Sequence, residues 1–277
     1  MDLTKDTQLI VSLSARPSNI GTRFHNFLFR ELGLASTFVY KAFKPVDIAG
    51  AMQALRSLPL RGAGVSMPFK EAVIPLIDDM DETATAIDSV NTIVNNDGRL
   101  SGYNTDFLAI QVLLRKAGAC SGMSAVVKGT GGMAKACCAA VSSLGITRGH
   151  VVARNEAEGR SLAEKYGYTW SAQLPPFDDE VWGVLVNATP LGMAGGDESE
   201  MLSFPSALVQ CAQIVLDVVA VPRDTPLIRL AETLPGERMV VSGEAVMTLQ
   251  AVEQFVLYTG VRPDALQISA AAAHARA

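Results

Sequence analysis

The sequence predicts an α/β protein of two domains, the second of them a doubly wound domain built on a parallel sheet. Three observations predict this class. Short apolar runs alternate with helical stretches along the chain, which is typical of βαβ units. The Val-rich runs of the second half lack polar alternation, as parallel strands covered on both faces do. The length of 277 residues suits one large or two medium domains.

The first third of the chain alternates predicted strands with predicted helices. The expected strands are 9–13, 36–43 and 62–67, and the expected helices are 22–34 and 47–58. This rhythm predicts a mostly parallel sheet. The stretch "VNTIVNNDGRLSGYNTD" that follows differs, because two short strands flank "NNDG", a strong signal for a hairpin turn.

The second half begins a new series of strands and helices. The expected strands are 124–129, 150–154, 183–189, 213–220 and 238–243, and the expected helices are 133–144, 156–167 and 244–260. We expect the last helix to be amphipathic. The predicted domains are residues 1–105 plus 243–277 for the first and residues 106–242 for the second.

The composition excludes several classes of protein. The net charge of −5 disfavours a general polyanion binder, so we expect no nucleic-acid partner. The longest apolar runs are shorter than a membrane span, and the start "MDLTKDTQLIV" does not resemble a secretory signal. Four cysteines without CxxC pairing or nearby histidines predict reduced thiols, no metal site and a cytoplasmic protein. No pattern in the sequence predicts an oligomeric state.

A glycine-rich turn joins the first strand of the second half to its helix. In "VVKGTGGMAKA", Gly129, Gly131 and Ala134 have the spacing G-x-G-x-x-A, with Gly132 and Met133 between them. Glycines permit a tight turn and close approach to a pyrophosphate, which the helix N-terminus stabilises. We therefore predict a Rossmann-type domain that binds a dinucleotide through this loop. The alternative is a tight turn without a ligand.

The end of the following strand bears on the choice of dinucleotide. An acidic residue there would favour NAD, whereas this strand ends in Arg154 and Asn155. A guanidinium pairs well with a 2′-phosphate, so NADP is predicted and NAD is less favoured. Glu156 and Glu158 follow closely and weaken this prediction. The alternative for Arg154 is a solvated cation at the strand end.

An alcohol dehydrogenase needs a group that takes the hydroxyl proton as the hydride leaves. His25, His150 and His274 are all poorly placed, since they lie in an apolar helix, at a strand start and in the tail. Lys70 in "GVSMPFK" and Asp106 in "YNTDF" are the candidates that remain, as a lysine beside a carboxylate can exchange a proton. The alternatives are a solvated lysine at a helix start and an Asp106 N-cap for a helix beginning near residue 107.

Six motifs resemble one known family. "VSMPFK", "SVNTI", "YNTD", "GTGGMAKA", "NATPLGM" and "LQAVEQF" occur in the order found in shikimate dehydrogenases, over nearly the whole chain. The sequence looks most like the shikimate dehydrogenase-like branch of that family. The resemblance implies reversible reduction of 3-dehydroshikimate to shikimate with NADPH and without a metal. It also implies that Lys70 and Asp106 are the catalytic pair.

The resemblance also implies substrate-binding residues in the first domain. Ser66 stands where the family has a threonine and keeps the hydroxyl, and Asn91 and Gln250 are implied partners for substrate hydroxyls. The alternatives are that Asn91 caps the hairpin backbone and that Gln250 is a polar residue on the exposed side of its helix.

Further residues implied by the resemblance contact the cofactor. Ala188 and Thr189 of "NATPLGM" would line the cofactor crevice, and Gly243 would permit close approach of the nicotinamide. The alternatives are an ordinary turn at the strand end and an interdomain hinge at Gly243. The chemistry is expected in the cleft between the two domains.

The chain departs from the family in the loop that holds the substrate carboxylate. The family has serine-x-serine-proline there, whereas no proline follows Ser14 directly. Either Ser12 and Ser14 hold the carboxylate, or the loop is "PSNIGT" and Ser18, Asn19 and Thr22 do so. We favour the second alignment.

Other departures remove hydrogen bonds to substrate or cofactor. The family asparagine two residues before Ser66 is Gly64 here, the tyrosine after the fifth nucleotide-domain strand is Ala220, and "NRT" reads "ARN". Each such bond contributes on the order of 1.5–3 kcal/mol. We therefore expect weaker activity on shikimate than the biosynthetic enzyme has, or another ring substrate.

The sequence thus predicts an NADP-dependent oxidoreductase for a small cyclohexene carboxylate. In the expected mechanism, Lys70 exchanges the proton of the reacting hydroxyl, and Asp106 orients and electrostatically tunes it. One alternative is a dehydrogenase for quinate or an amino-substituted shikimate. The other alternative is a non-catalytic sensor that binds NADP.

Overall fold

The computed structural model describes residues 3–174 and 182–277, which form two compact units. The first unit comprises Met1–Thr105 with Thr248–Ala277, and the second comprises Asp106–Met247. Among the described residues, each unit is built on a six-stranded sheet with helices around it. The predicted α/β class is therefore confirmed.

The sheet of the first unit is mixed. Its strands are β1 (Gln8–Leu13), β2 (Phe38–Phe43), β3 (Leu60–Val65), β4 (Asp79–Met80), β5 (Thr92–Asn96) and β6 (Arg99–Tyr103). The order in the sheet is β2-β1-β3-β5-β6-β4. Strand β1 pairs in parallel with β2 and β3, while β5 runs antiparallel to both β3 and β6. The predicted parallel rhythm thus holds for the first three strands and ends at the hairpin.

Local turn chemistry forms the hairpin between β5 and β6. Asp97 and Gly98 occupy the turn with φ values of 52° and 89°, the positive values that a tight hairpin turn of this hand requires. The Asn95 side chain accepts a hydrogen bond from the Gly98 N–H at 2.8 Å. The same side chain donates to the carbonyl oxygens of Leu55 and Leu60, which ties the hairpin to β3.

Both faces of the first sheet are buried against helices. The helical segments of this unit are α1 (Asn19–Glu31), α2 (Ile48–Ser57), a 3-10 turn (Ile74–Leu76), α3 (Glu82–Thr85) and α10 (Ala265–Arg276). Alternate residues of β1 enter different clusters: Ile10 packs with α1 and α10, whereas Val11 and Leu13 pack with α2. This period of two is what a strand covered on both faces must show.

The sheet of the second unit is entirely parallel. Its strands are β7 (Ser124–Lys128), β8 (Arg148–Val152), β9 (Thr169–Ser171), β10 (Val184–Asn187), β11 (Ile214–Asp217) and β12 (Met239–Val241). The order β12-β11-β10-β7-β8-β9 reverses direction between β7 and β10. Dinucleotides bind at such a switch point, outside the carboxyl ends of the strands. The predicted doubly wound, Rossmann-type domain is confirmed.

The helices that follow these strands complete the second unit. They are α4 (Thr105–Lys116), α5 (Gly132–Ser143), α6 (Glu156–Lys165), α7 (Ser206–Cys211), α8 (Pro226–Thr233) and α9 (Gly243–Thr259), of which α9 continues into the first unit. The prediction that the last of these is amphipathic is wrong. No residue from 244 to 259 is exposed, so α9 has no solvent-exposed polar face. Among the described helices, none has both the length and the apolarity needed to cross a membrane.

Candidate active site

The glycine-rich turn lies between β7 and α5, at the carboxyl edge of the second sheet. Gly129 has a φ of 123°, and a Cβ there would lie 2.7 Å from the Ala188 carbonyl oxygen. Gly131 precedes the first residue of α5, and a Cβ on it would meet no atom within 4 Å. Gly129 is thus required by the fold, whereas the space beside Gly131 is open for a ligand.

The remaining predicted residues of the turn begin α5. Gly132 is exposed and also has open space around its Cβ position, and Met133 is half-buried. Ala134 is fully buried, so its small side chain serves the packing of α5. The first N–H groups of a helix have no partner within the helix, and the helix dipole stabilises an anion at such a start.

A cavity of about 810 Å³ opens beside this turn. It brings together six of the residues predicted to bind the cofactor, and these are Gly129, Gly131, Arg154, Asn155, Ala188 and Thr189. They come from the ends of β7, β8 and β10, three neighbouring strands of the sheet. Gly132, Met133, Ala134 and Gly243 do not line this cavity. The volume lies within the range of pockets that hold cofactors.

The two glutamates that weakened the prediction for NADP both have partners. Glu156 accepts a hydrogen bond from Arg160 at 2.8 Å on the exposed face of α6. The Glu158 carboxylate accepts one from the Thr130 hydroxyl at 2.9 Å. Asn155 caps α6 by accepting from the Glu158 N–H at 3.3 Å. Glu156 is therefore engaged along α6, whereas Glu158 bonds Thr130, which itself lines the cavity. Of the three acidic or basic residues that line the cavity, two are cations, Lys128 and Arg154.

A buried hydrogen-bond network shapes the loop after β10. The Asn187 amide donates to the Asp217 carboxylate at 2.9 Å and to the Leu191 carbonyl at 3.2 Å. Its oxygen accepts from both the N–H and the hydroxyl of Thr189. The Thr225 hydroxyl donates to Asp217 at 2.6 Å. Burial raises the pKa of Asp217, and these donors oppose that rise. The network fixes Thr189 at the cavity wall.

Contacts within the second unit require a glycine at position 243. A Cβ at this position would collide with the Val219 carbonyl, so the first turn of α9 packs directly on the backbone after β11. This contact accounts for the glycine without a ligand. Contact with a nicotinamide stays a prediction.

In the first unit, the predicted substrate residues lie beyond β3. Ser66 is exposed, and its N–H donates to the Leu13 carbonyl at 2.9 Å. Lys70 is half-buried in a series of turns, and its carbonyl accepts from the Val90 N–H at 2.9 Å. These turns lead into the short 3-10 segment, and the role of Lys70 stays a prediction.

Asn91 joins the hairpin region to the start of α4. It is buried, and its side-chain oxygen accepts from the Thr105 N–H at 2.9 Å and from the Thr92 hydroxyl at 2.8 Å. The Thr105 hydroxyl lies 3.2 Å from the same oxygen and donates to Gln250 at 3.3 Å. The structure therefore brings Asn91 and Gln250 together through Thr105. Gln250 is half-buried, so the alternative of a polar side chain on an exposed helix side is wrong.

Asp106 occupies the first turn of α4 and is 9% exposed. The helix begins one residue earlier, at Thr105, so the alternative of an Asp106 N-cap is wrong. An acidic side chain in a first helical turn is stabilised by the helix dipole. A role in catalysis stays a prediction.

The two candidate sites for the substrate carboxylate differ in their local bonding. The Ser14 hydroxyl accepts from the Arg16 N–H, and Ser12 hydrogen-bonds the Tyr40 phenol. Ser18 precedes α1 without a side-chain capping bond, and Asn19 begins that helix, with both residues exposed. The buried Thr22 hydroxyl has no hydrogen-bond partner among the described residues.

Tyr40 and Gln254 surround Gly64, and sequence reasoning missed both. A Cβ on Gly64 would lie 2.8 Å from the Tyr40 hydroxyl and 3.7 Å from the Gln254 amide nitrogen. That amide donates to the Thr92 hydroxyl and the Asn91 carbonyl. The spacing of Gln254 four residues after Gln250 could have indicated it, since such residues share a helix face. No sequence signal indicated Tyr40, which comes from another strand.

The three histidines have different surroundings. Burial lowers the pKa of His25 to about 4, and its ring stacks on Tyr40 with centroids 4.3 Å apart. His150 hydrogen-bonds the hydroxyls of Thr169 and Ser171. His274 is exposed near the end of α10. Within the described ranges, no cluster of His, Cys, Asp or Glu has the arrangement of a metal site.

The fold and the cavity define a class of protein: an α/β protein with a Rossmann-type unit that has the elements of a dinucleotide site. Comparison with known proteins identifies the family. Residues 18–93 match the family described as the shikimate dehydrogenase substrate binding domain. The shikimate dehydrogenase-like protein of Haemophilus influenzae is 47% identical over 274 residues, which cover 99% of this chain and 98% of that protein.

Two solved structures extend the comparison. A shikimate 5-dehydrogenase-like protein shares 46% identity with a TM-score of 0.94 and covers 100% of both chains. The shikimate 5-dehydrogenase of Thermus thermophilus, in complex with NADP(H) and shikimate, shares 27% identity with a TM-score of 0.81, covering 97% of this chain and 100% of that one. The chain belongs to the shikimate dehydrogenase family, whose members are oxidoreductases. The resemblance in the six motifs is thereby confirmed.

Proposed function

We propose that this protein is an NADP-dependent dehydrogenase that interconverts shikimate and 3-dehydroshikimate or a close cyclic analogue. The observation that supports NADP as the cofactor is the cavity that the glycine-rich turn and Arg154 both line. A guanidinium at the end of β8 suits a 2′-phosphate and would leave NAD without that contact. The Thermus thermophilus relative, crystallised with NADP(H) and shikimate, supports the same pairing.

The bound dinucleotide would supply or accept the hydride at nicotinamide C4. The turn residues Gly131 and Gly132 would hold the pyrophosphate at the start of α5, and Arg154 would pair with the 2′-phosphate. Ala188 and Thr189 line the same cavity beside Gly129. These residues bind and orient the cofactor and exclude water from it, which is the contribution that a protein makes to hydride transfer.

In the proposed mechanism, Lys70 holds and moves the proton. Its ammonium donates a proton to the carbonyl oxygen as a ketone is reduced, and the neutral amine takes the proton back from the hydroxyl in the oxidation. Asp106 orients that ammonium electrostatically. Asn91 and Gln250 bind the ring hydroxyls, Ser66 adds a hydroxyl donor, and the loop with Ser18, Asn19 and Thr22 holds the carboxylate.

The decisive experiment is steady-state kinetics of the wild type and Lys70→Ala with shikimate and quinate, each with NADP+ and NAD+. We expect kcat of Lys70→Ala to fall about 10²-fold or more, because the loss of a positioned acid–base group has that effect. Lys41→Ala, which removes an exposed lysine from β2, is the matched control and should retain wild-type kcat. A fall of less than about tenfold in Lys70→Ala would contradict the proposed role.

The surroundings of Gly64 favour a second candidate substrate. The buried Tyr40 hydroxyl occupies the space where a side chain at position 64 would be, so no amide can stand there. A related ring acid with different substituents, such as quinate or an amino-substituted shikimate, is the candidate that this difference supports. A higher kcat/KM for quinate than for shikimate in the same assays would favour it.

A further inference from the structure

A lysine ends the central strand of the Rossmann-type unit, directly before the glycine-rich turn. In β7 the four residues before Lys128 are buried, and Lys128 itself is half-buried. Its side chain lines the same cavity as Arg154. Lys128 pairs with Val152 of the adjacent strand β8, and Arg154 follows Val152 by two residues. Both cations therefore belong to the carboxyl edge of neighbouring strands.

The contacts of Lys128 leave part of its ammonium for a ligand. Its Nζ donates to the Ser203 carbonyl oxygen at 2.7 Å and lies 6.0 Å from the centroid of the Phe204 ring. An ammonium carries three N–H donors, and the carbonyl accepts one of them. These contacts hold the side chain at the cavity wall. They do not explain why a charged residue ends a strand that a valine or leucine could complete.

The electrostatics of the cavity favour an anion. Burial, and next the nearby Arg154 guanidinium, lower the pKa of Lys128, while Glu198 raises it by a smaller effect. Among the residues that line the cavity, Lys128 and Arg154 are positively charged and Glu198 is negatively charged, so their net charge is +1. Two cations held near each other repel, and a doubly charged anion between them removes that repulsion.

We propose that Lys128 is a second phosphate-binding residue of this site, whose ammonium acts with the Arg154 guanidinium on the 2′-phosphate of NADP and selects it over NAD. This inference rests on the proposed NADP dependence. It adds a specificity residue from β7 to the one that sequence reasoning found after β8. A point charge and a planar fork differ in geometry, so the two cations contact different oxygens of one phosphate.

A purely structural role is the rival explanation. Lys128 would then only connect β7 to the segment containing Ser203. Such a role predicts equal effects on both dinucleotides, since they differ only in the 2′-phosphate. The two roles can therefore be separated by binding, without turnover and without knowledge of the ring substrate.

The experiment measures dissociation constants of NADP+ and NAD+ by calorimetry for the wild type and four variants. Lys128→Met keeps the length of the side chain, Lys128→Gln keeps a donor for Ser203, and Lys128→Arg keeps the charge. Lys116→Met removes an exposed lysine at the end of α4 as the matched control for net charge. Thermal unfolding of each variant identifies any that fails to fold.

We expect Lys128→Met and Lys128→Gln to weaken NADP+ binding about tenfold or more, which is the effect of losing one charge-assisted hydrogen bond. The same variants should change NAD+ binding less than about twofold. Lys128→Arg should stay within about threefold of the wild type for both ligands, and Lys116→Met should match the wild type.

Equal losses for both dinucleotides, or an unchanged preference for NADP+ in folded Lys128→Met and Lys128→Gln, would overturn the inference. In the latter case the proposed NADP dependence stands, because the wild type still prefers NADP+. A wild type that binds NAD+ as tightly as NADP+ would overturn both the inference and the cofactor part of the proposed function.

Discussion

At the scale of single residues, His25 links the protein's stability to pH. Its ring is buried among aromatic side chains, and this burial lowers its pKa from 6.5 to about 4 in the folded state. The unfolded chain therefore takes up a proton at this residue below pH 6.5, while the folded protein does not. Its contribution is fully present above pH 6.5 and is lost as the pH falls towards 4.

We expect the wild type to lose about 2 kcal/mol of unfolding free energy between pH 7 and pH 5 through this residue alone. Urea denaturation of the wild type and His25→Leu at both pH values measures it, because the variant lacks the titration. His274→Gln, which changes an exposed histidine, should behave like the wild type. An identical pH dependence in His25→Leu and the wild type would contradict the lowered pKa.

Gly64 and Tyr40 form a coupled pair. A Cβ on Gly64 would lie 2.8 Å from the Tyr40 hydroxyl oxygen, too close for ordinary packing. We expect Gly64→Ala to cost about 1–3 kcal/mol of stability, the usual effect of overpacking. The same substitution in a Tyr40→Phe background should cost less, because the colliding oxygen is gone.

A double-mutant cycle of unfolding free energies tests this coupling. Gly196→Ala is the control, since the nearest atom to its Cβ position is 4.0 Å away. A strictly additive cycle would show that the Tyr40 hydroxyl does not exclude a side chain at position 64.

At the scale of elements, the side chain of one asparagine holds the loop that follows β10. Asn187 bonds Asp217 of β11, Leu191 and Thr189, so its side chain connects two strands and a loop. We expect Asn187→Ala to cost about 1–3 kcal/mol of stability, because it leaves buried polar partners unsatisfied. It should also weaken NADP+ binding, since Thr189 lines the cavity.

Thermal unfolding together with NADP+ titration checks both effects of Asn187→Ala. Gln53→Ala, which removes an exposed amide from α2, serves as the control and should change neither quantity. If Asn187→Ala is destabilised but binds NADP+ as tightly as the wild type, the expected effect on binding is contradicted.

Two turns could be predicted from local sequence patterns alone. "NNDG" predicted the hairpin because Asp97 and Gly98 satisfy a local backbone requirement. The glycine-rich turn was predictable for the same reason, as Gly129 must adopt a positive φ beside Ala188. The amphipathic character expected of α9 was wrong, because its neighbours come from distant parts of the chain. Its polar residues, such as Gln250 and Gln254, are covered by hydrogen-bonding partners.

At the scale of the whole molecule, the two units should respond to different ligands. The cavity with the glycine-rich turn belongs to the second unit, and the Asn91 and Gln250 network belongs to the first. We expect NADP+ to slow hydrogen exchange in peptides covering 128–134 and 187–191. Shikimate or its analogue should slow exchange in peptides covering 64–70 and 89–92.

Hydrogen–deuterium exchange with mass spectrometry, with each ligand added separately, measures this. The peptide covering 206–211, on α7, provides the internal control, since none of its residues lines the cavity. Protection of 64–70 without protection of 128–134 on addition of NADP+ would contradict the proposed division of binding between the units.

The sequence by itself determined the α/β class, the Rossmann-type unit, the hairpin and the family, because each depends on local periodicity, turn chemistry or ordered motifs. It also identified Lys70, Arg154 and Asp106 as candidates by residue type and position. Only the tertiary structure showed that Lys128 shares a cavity with Arg154 and that Tyr40 fills the space beside Gly64. These contacts join residues from different strands, and long-range packing of this kind leaves no pattern in neighbouring sequence positions.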